Sequence, residues 1–383
     1  ALLLAREALY DLLGRREEQG QDLEALEALA ATLDEAESPQ GRVRQVDVAL
    51  RRAEYERLTG DVGASIRVVR RAVHLAQEAE DQVREAIGRN AWGWVLMAQG
   101  EYDAARQRYE EALALARESG ARRVEADSLI GLSWVFWYQS YGAAEDALVN
   151  GYRRQALNLY REIGDRRREA GALSDLGVVC VGQGDLPAAR SYYEQAWAIH
   201  REIGSRAGEA IPLNNLGWVF RGEDDYAGAR QSVERALTIN REVGSRMGEG
   251  NCLVDISETL GAQGHYVRGE ALCSKAVCIL RETREAAREG RALCGLGLIR
   301  YHQGDYARAR TFLKKARSLS RDSGPQWVES RSLVILSLIL HAQGHDKAAR
   351  DFARQALENG PTGYHLGQGD SALALGHGLA GLG

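Results

Sequence analysis

Apolar side chains recur three and four residues apart along most of the chain, as at Leu173, Leu176 and Cys180. This spacing places them on one face of an α-helix. The 383 residues include only five prolines, whereas alanine, leucine, glutamate and arginine, which are strong helix formers, are abundant. The pattern therefore predicts an all-α protein without strands.

The helical pattern has a period of 40 residues. Turn glycines mark it, spaced by 40 residues or a multiple of 40 with one four-residue excess: Gly60, Gly100, Gly184, Gly264, Gly304 and Gly344. The excess lies between Ser133 and Val149. Each unit therefore reads as a helix A, a turn around Gln-Gly-Asp and a helix B, with one irregular unit.

Three rows of small residues share this period. The first row is an alanine of helix B: Ala72, Ala112, Ala156, Ala196, Ala236, Ala276, Ala316 and Ala356. The second lies seven residues earlier, with Val149 as the exception: Ser65, Ala105, Ala189, Ala229, Gly269, Ala309 and Ala349. The third lies further upstream, in helix A: Ala53, Gly93, Ser133, Gly177, Gly217, Ser257, Gly297 and Ser337. Helices approach to about 8 to 10 Å only where side chains are small, so these rows mark helix crossings.

The motifs L-x-x-L-G in helix A and GDY-x-x-A after the turn resemble the tetratricopeptide repeat, as in LGLIRYHQGDYARARTFLKKARSLSRDSG. The family's usual period is about 34 residues. The longer period is similar to the repeats of kinesin light chains, of spindle-orientation adaptors and, most of all, of the C-terminal arrays of bacterial signal-transduction ATPases (STAND proteins) and transcription regulators. The resemblance implies an α-solenoid, a right-handed superhelix of about eight full repeats plus partial terminal repeats.

We expect three regions along the chain. Residues 1–40 read as an N-terminal helical entry, residues 41–358 as the repeat array with its irregular unit at about 121–164, and residues 359–383 as part of a further repeat. The chain begins without Met and ends in an apolar half-repeat, whereas terminal repeats normally present a polar face. These ends favour a fragment of a longer protein.

The candidate binding residues lie on helix A, which the resemblance places on the concave wall of the superhelix. Residues that flank the third small row, away from helix B, should face an open groove. In the first half these are Asn90, Trp94, Trp134, Trp137, Tyr138, Asp175, Asn214, Asn215 and Trp218. In the second half they are Asn251, Asp255, Glu258, Arg291, Tyr301, His302, Arg331 and His341. Trp92 and Trp197 are instead expected to fill seams between repeats.

These side chains predict a protein or peptide partner. Aromatic rings supply contact area at low entropic cost, and amides can pair with an extended backbone. The second half shifts from acidic to basic residues, so a ligand that spans both halves needs mixed charge. A net charge of -5 argues against nucleic acid and anionic membranes as partners.

No catalytic, cofactor or metal site is expected. The chain lacks G-x-x-x-x-G-K-[ST]. His302 and His341 are expected to approach each other without a third Cys, His or carboxylate nearby to complete a metal site. The five cysteines lack a C-x-x-C spacing and lie on apolar rows, which is typical of reduced core residues in a cytoplasmic protein. No apolar run is long enough to span a membrane.

The function that these features favour is the protein- or peptide-binding sensor region of a bacterial multidomain signalling protein, linked to an ATPase or DNA-binding regulatory part that lies outside this chain. The alternative is a free-standing adaptor that joins two partners. Two further hypotheses are an enzyme with an unrecognised site and direct DNA contact through Arg166, Arg167 and Arg168. The lack of catalytic motifs and the charge balance argue against these two.

Overall fold

The computed structural model describes residue 3 and residues 5–7, 16–32, 39–59, 62–139, 143–283, 286–323 and 326–358. Within these ranges the chain is helical and contains no strand. The α-helices are α1 (Arg16–Thr32), α2 (Pro39–Thr59), α3 (Val62–Glu78), α4 (Gln82–Ala98), α5 (Tyr102–Glu118), α6 (Arg122–Gln139), α7 (Ala143–Glu162), α8 (Arg166–Gly182), α9 (Leu186–Glu202), α10 (Ala210–Gly222), α11 (Tyr226–Glu242), α12 (Arg246–Ala262), α13 (Tyr266–Glu282), α14 (Ala286–His302), α15 (Tyr306–Ser323), α16 (Gln326–Ala342) and α17 (Asp346–Glu358).

The helices from α2 to α17 form eight consecutive pairs in the described part of the chain. The even-numbered helices are the A helices and the odd-numbered ones from α3 onward are the B helices. Turns of a few residues join them, which makes neighbouring helices antiparallel. The predicted all-α class and the eight repeats are therefore confirmed. The chain divides into two compact units, Ala1–Ala172 and Leu173–Gly383. Residues 359–383, predicted to begin a further repeat, lie outside the described residues.

The small-residue rows lie where the helices pack most closely. Every alanine of the first row is buried, with at most 2% of its surface exposed. In the third row, a Cβ added to Gly177 would lie 2.6 Å from the ring of Tyr193, and one added to Gly93 would lie 2.7 Å from the ring of Tyr109. The glycine in helix A thus makes room for a large side chain from helix B.

The turns between helices follow the predicted chemistry. Gly184 follows α8 with φ of +79°, in the left-handed region that glycine adopts without steric cost. Asp185 then caps α9, because its carboxylate accepts a hydrogen bond from the Ala188 amide at 3.1 Å. The same cap recurs at Asp225 in front of α11. The turn residues of each repeat therefore determine where its helices end and begin.

A glutamate in the first turn of helix A bridges to the preceding helix B. Arg117 pairs with Glu125 at 3.0 Å, and Arg241 pairs with Glu249 at 3.1 Å. The same residue spacing recurs in the pair from Arg161 to Glu169 and in the pair from Arg281 to Glu289. A carboxylate at this position favours the helix N-terminus, and here it also joins helix A to the preceding helix B.

The cysteines depart in part from the expectation of a buried core. Cys252, Cys273 and Cys294 are buried and Cys180 is half-buried, but Cys278 is exposed on α13, so the expectation is wrong for this residue. Helical rotation carries Cys278 away from the core face, although its neighbours Val277 and Ile279 are buried. Burial raises the pKa of the Cys252 and Cys273 thiols to about 12, which keeps them protonated at neutral pH.

Replacing an alanine of the first row should destabilise the array. Ala196 has no exposed surface, so we expect Ala196→Leu to lower the free energy of unfolding by about 1 to 3 kcal/mol through overpacking. Urea unfolding followed by circular dichroism measures the change. The matched control is Ala198→Leu on the exposed side of α9, which should change it by less than about 0.5 kcal/mol. Equal effects of the two variants would contradict the packing account.

Candidate functional site

The predicted groove residues all belong to the A helices, and we call the side of these helices on which Trp94, Trp134 and Trp218 lie the A face. Trp94, Trp134 and Trp218 occupy the same repeat position on α4, α6 and α10. Trp94 has 44% of its surface exposed, and the other two are half-buried. The A face thus presents one tryptophan in each of three repeats. The parts of the A face that belong to the two compact units of the chain are described separately below.

In the first unit Trp134, Trp137 and Tyr138 of α6 form an aromatic cluster with Tyr102, the first residue of the B helix α5. The rings of Tyr102 and Tyr138 are stacked with centroids 5.7 Å apart, and those of Trp134 and Tyr138 are stacked at 6.1 Å. Such stacked pairs hold large rings in fixed positions. The surface is therefore ordered before any ligand arrives. Of these rings, the sequence had not indicated Tyr102.

A buried arginine supports this cluster and was missed from the sequence. The Arg153 side chain has no exposed surface, and its guanidinium lies 4.5 Å from the Trp134 ring centroid and 5.6 Å from that of Trp137. Its Nε donates a hydrogen bond to Ser133 Oγ at 3.1 Å. The equivalent residues are tyrosines in α5 and α9. An arginine in place of a core tyrosine was therefore the feature of the sequence that could have indicated this contact. The cation fixes the orientation of both indoles.

Asn90 does not face an open groove, in contrast to the prediction. It is buried, and its Oδ1 accepts a hydrogen bond from Ser128 Oγ of the next A helix at 3.0 Å. The equivalent contact in the second unit runs from Cys252 Sγ to Asn214 Oδ1 at 3.3 Å. These polar contacts join successive A helices. Asn90 is therefore a connecting residue beneath the A face.

In the second unit the A face carries a charge network that begins at Asp255. This carboxylate accepts hydrogen bonds from Asn214 Nδ2 at 2.8 Å and from Trp218 Nε1 at 2.7 Å, and it pairs with Arg291. Only 1% of Asp255 is exposed. The sequence had placed it on an open wall, but its bonds to both neighbouring helices remove it from solvent.

Glu258 extends the network to a further helix. It pairs with Arg221 at 2.9 Å, with Arg291 at 2.9 Å and with Arg331 at 2.8 Å. Burial alone would raise the pKa of the Glu258 carboxyl, but the three guanidinium groups outweigh it and hold the pKa well below its ordinary value. The network therefore links α10, α12, α14 and α16. The predicted acidic and basic residues neutralise one another.

The other predicted groove residues belong neither to the aromatic cluster nor to the charge network. Asp175, Asn215 and Asn251 are half-buried on their helices. Tyr301 contacts His302 edge to face, with ring centroids 5.2 Å apart.

The two candidate histidines have different partners. The ring of His302 stacks on that of Tyr266 at 5.6 Å, whereas His341 Nδ1 lies 2.8 Å from Asp346 Oδ1. Among the described residues no group of three His, Cys, Asp or Glu side chains could hold a metal ion. The described helices also include none that is long and apolar enough to cross a membrane.

Comparison with known families agrees with the repeat architecture. Models described as tetratricopeptide repeat match residues 90–137, 168–242 and 288–360. Together the matches cover just over half of the chain. The chain therefore belongs to the tetratricopeptide repeat family.

Several solved structures share this fold. A Rap protein complexed with competence and sporulation factor aligns with a TM-score of 0.66 and 14% identity over 85% of either chain. NprR in complex with its cognate peptide NprX aligns at 0.58 and 13% over 93% of this chain and 96% of that one. A signal transduction ATPase with numerous domains and a tetratricopeptide repeat sensor, from Pyrococcus horikoshii, aligns at 0.51 and 14% over 92% and 53%. Comparison with curated protein sequences gives no match.

Removing the central carboxylate of the charge network should destabilise the second unit. We expect Glu258→Gln to lower the free energy of unfolding at pH 7 by about 3 kcal/mol, because it leaves three guanidinium groups without their shared partner. Since the pKa of Glu258 is depressed by folding, its contribution is complete above the ordinary glutamate pKa of about 4.3 and declines at lower pH. The difference from wild type should therefore narrow between about pH 5 and pH 3.

Denaturant unfolding at a series of pH values tests this expectation. The control is Glu234→Gln, which removes an exposed carboxylate 3.7 Å from Arg230 and should change stability by less than about 0.5 kcal/mol. A loss that stays constant from pH 7 to pH 3 would rule out the charge as its origin.

Proposed function

We propose that this chain is a sensor region that binds a peptide or an extended protein segment on its A face, and that it acts by binding and not by catalysis. The observation that carries the proposal is an apolar pair that recurs in both units. Ile87 and Trp94 on α4 lie seven residues apart, on one face of the helix, and Ile211 and Trp218 on α10 have the same spacing and repeat position.

These two isoleucines are exposed, although apolar side chains on packed helices are usually buried. Ile87 is 39% exposed and Ile211 is 63% exposed. Exposed apolar groups beside ordered aromatic rings are typical of protein recognition sites, because such rings lose little entropy on binding. The pair offers anchor points for apolar side chains of a ligand.

The polar groups on the A face favour an extended backbone over a charged ligand. Asp255 and Glu258 are saturated by their partners in the charge network, so they add little to the selection of charge. Asn215 and Asn251 are half-buried, and neither side-chain amide is hydrogen-bonded to another described residue. Free amides can pair with the peptide groups of a segment laid along the A face.

The structural neighbours are consistent with this class of ligand. The NprR structure contains its cognate peptide, and the Rap structure contains competence and sporulation factor. The Pyrococcus horikoshii neighbour is a signal transduction ATPase whose repeats form a sensor, and this chain spans about half of its length. We accordingly propose that the chain is the sensor region of a larger signalling protein of that kind.

A selection from a displayed library of random linear peptides tests the binding function. We expect the full chain to enrich peptides with apolar or aromatic side chains. We expect Trp94→Ala to weaken by about tenfold or more the binding of a peptide that contacts the first unit, and Ile211→Asp to do the same for a peptide that contacts the second unit. Fluorescence anisotropy with the labelled peptide measures both affinities.

The control for these variants is Val267→Ala on helix α13. Val267 is the most exposed of the large apolar residues in the described ranges but lies on a B helix, so its truncation should leave the affinity unchanged. If no peptide shows saturable binding, or if Val267→Ala weakens binding as much as Trp94→Ala does, the A face is not the binding surface.

A further inference from the structure

Two tryptophans of the first unit occupy the same repeat position on neighbouring A helices. Trp94 of α4 and Trp134 of α6 each come directly after the residue of the third small row. The two helices are in contact, because Ser128 Oγ of α6 donates a hydrogen bond to Asn90 Oδ1 of α4 at 3.0 Å. The axes of packed helices are about 8 to 10 Å apart, so equivalent side chains on them have about the same separation. The A face of the first unit therefore carries two indoles at this spacing.

The indole N–H groups of these two tryptophans are unused within the described part of the chain. Trp94 is 44% exposed and Trp134 is half-buried, and neither Nε1 donates a hydrogen bond to a described residue. The ring of Trp134 is nevertheless held in place by its contacts with Arg153 and Tyr138. An indole N–H can donate a hydrogen bond but cannot accept one. The pair thus offers a ligand two donors beside large apolar rings.

This pair of tryptophans belongs to the first unit alone. The residues at the same position in the other repeats are Glu54, Val178, Trp218, Glu258, Leu298 and Leu338, so tryptophan occurs in consecutive repeats only at α4 and α6. Trp218 also differs because its Nε1 already donates a hydrogen bond to Asp255 at 2.7 Å. Two neighbouring indoles with unused N–H groups are therefore not a general consequence of the repeat.

The spacing of the two indoles distinguishes between possible conformations of a peptide ligand. Side chains on one face of a β-strand are about 6.6 or 13 Å apart, because alternate residues point the same way and each rises about 3.3 Å. In a polyproline II helix one turn of three residues rises about 9.3 Å, so every third side chain matches the indole spacing. Two turns of an α-helix rise about 10.8 Å, but the backbone carbonyls of an α-helix are already hydrogen-bonded. Of these three conformations, polyproline II alone combines the spacing with free carbonyl groups.

The chemistry of the surface favours proline within such a helix. A proline residue has a carbonyl acceptor but no N–H, which complements a surface that offers indole donors. A run of prolines also adopts this conformation before binding, which lowers the entropic cost of association. A cationic ligand is disfavoured, because the guanidinium of Arg153 already lies 4.5 Å from the ring centroid of Trp134 and repels a second positive charge. An uncharged, proline-rich segment therefore fits this surface best.

We infer that the first unit binds a proline-rich segment in the polyproline II conformation, with prolines three residues apart. The segment crosses α4 and α6, so that one proline packs on Trp94 and the proline three residues further on packs on Trp134. Each indole N–H donates a hydrogen bond to a carbonyl oxygen of the segment. Grooves lined with aromatic side chains recognise proline-rich segments in this way. The inference rests on the proposed function of the A face, for which it names the class of ligand.

Titration of the full chain into fluorescently labelled decaproline, followed by anisotropy, tests the inference. We expect saturable binding of decaproline and none of a labelled glycine-serine peptide of the same length, which is flexible and lacks the pyrrolidine rings. Nitrogen-15 NMR of the indole groups locates the contact, because each of the seven tryptophans gives its own N–H signal. Decaproline should shift the signals of Trp94 and Trp134 and leave that of Trp218 unchanged.

Variants that remove only the indole N–H separate its role from that of the ring. Trp94→Phe and Trp134→Phe keep an aromatic side chain, and each should weaken decaproline binding by about threefold to tenfold, the effect of losing one hydrogen bond. The matched control is Trp218→Phe, which makes the same change at the same repeat position in the second unit. This control should bind decaproline with the affinity of wild type. Circular dichroism verifies that all three variants remain helical.

The outcomes distinguish this inference from the proposed function on which it rests. Weaker binding by Trp94→Phe and Trp134→Phe, with wild-type affinity in Trp218→Phe, supports the inference. Equal loss in all three variants, or binding of the glycine-serine peptide as tight as that of decaproline, overturns it. If a peptide without proline from the library selection binds through Trp94 while decaproline does not bind, the inference is wrong and the proposed function stands. If no peptide shows saturable binding, both are wrong.

Discussion

Close approach of the two helices in each repeat is the constraint on which the other features depend. A pair of helices packs this closely only if the residues at the crossing are small, and Gly177 opposite Tyr193 shows how little space remains. Because the crossing consumes one side of helix A, the opposite side stays outside the core. The A face is therefore the side of the repeat that we propose for binding.

The two units use this freedom differently. In the first unit the buried guanidinium of Arg153 packs against Trp134 and Trp137 and fixes their orientation. In the second unit the charges of Asp255 and Glu258 are satisfied by neighbouring helices, so the surface is held together by the ion pairs that cross it. Both arrangements fix side chains before a ligand binds, which lowers the entropic cost of recognition.

The period of small residues was sufficient to predict the fold, since each helix crossing depends on local contacts that recur in register. The arrangement of the A face was less accessible to prediction. Helical spacing predicted the exposure of Trp94, which the structure shows, but could not show that Asp255 would be buried by partners 36 to 41 residues away. Arg153 was missed for the same reason, because its role depends on rings contributed by another helix.

A double-mutant cycle at the helix crossing tests the central claim most directly. In wild type, Gly177→Ala should lower the free energy of unfolding by about 1 to 3 kcal/mol, because the new methyl group meets the Tyr193 ring. In a Tyr193→Ala background the same change should instead raise it by up to about 1 kcal/mol, the intrinsic helical advantage of alanine over glycine. Stabilisation by Gly177→Ala in both backgrounds would show that close packing at this row does not govern the fold.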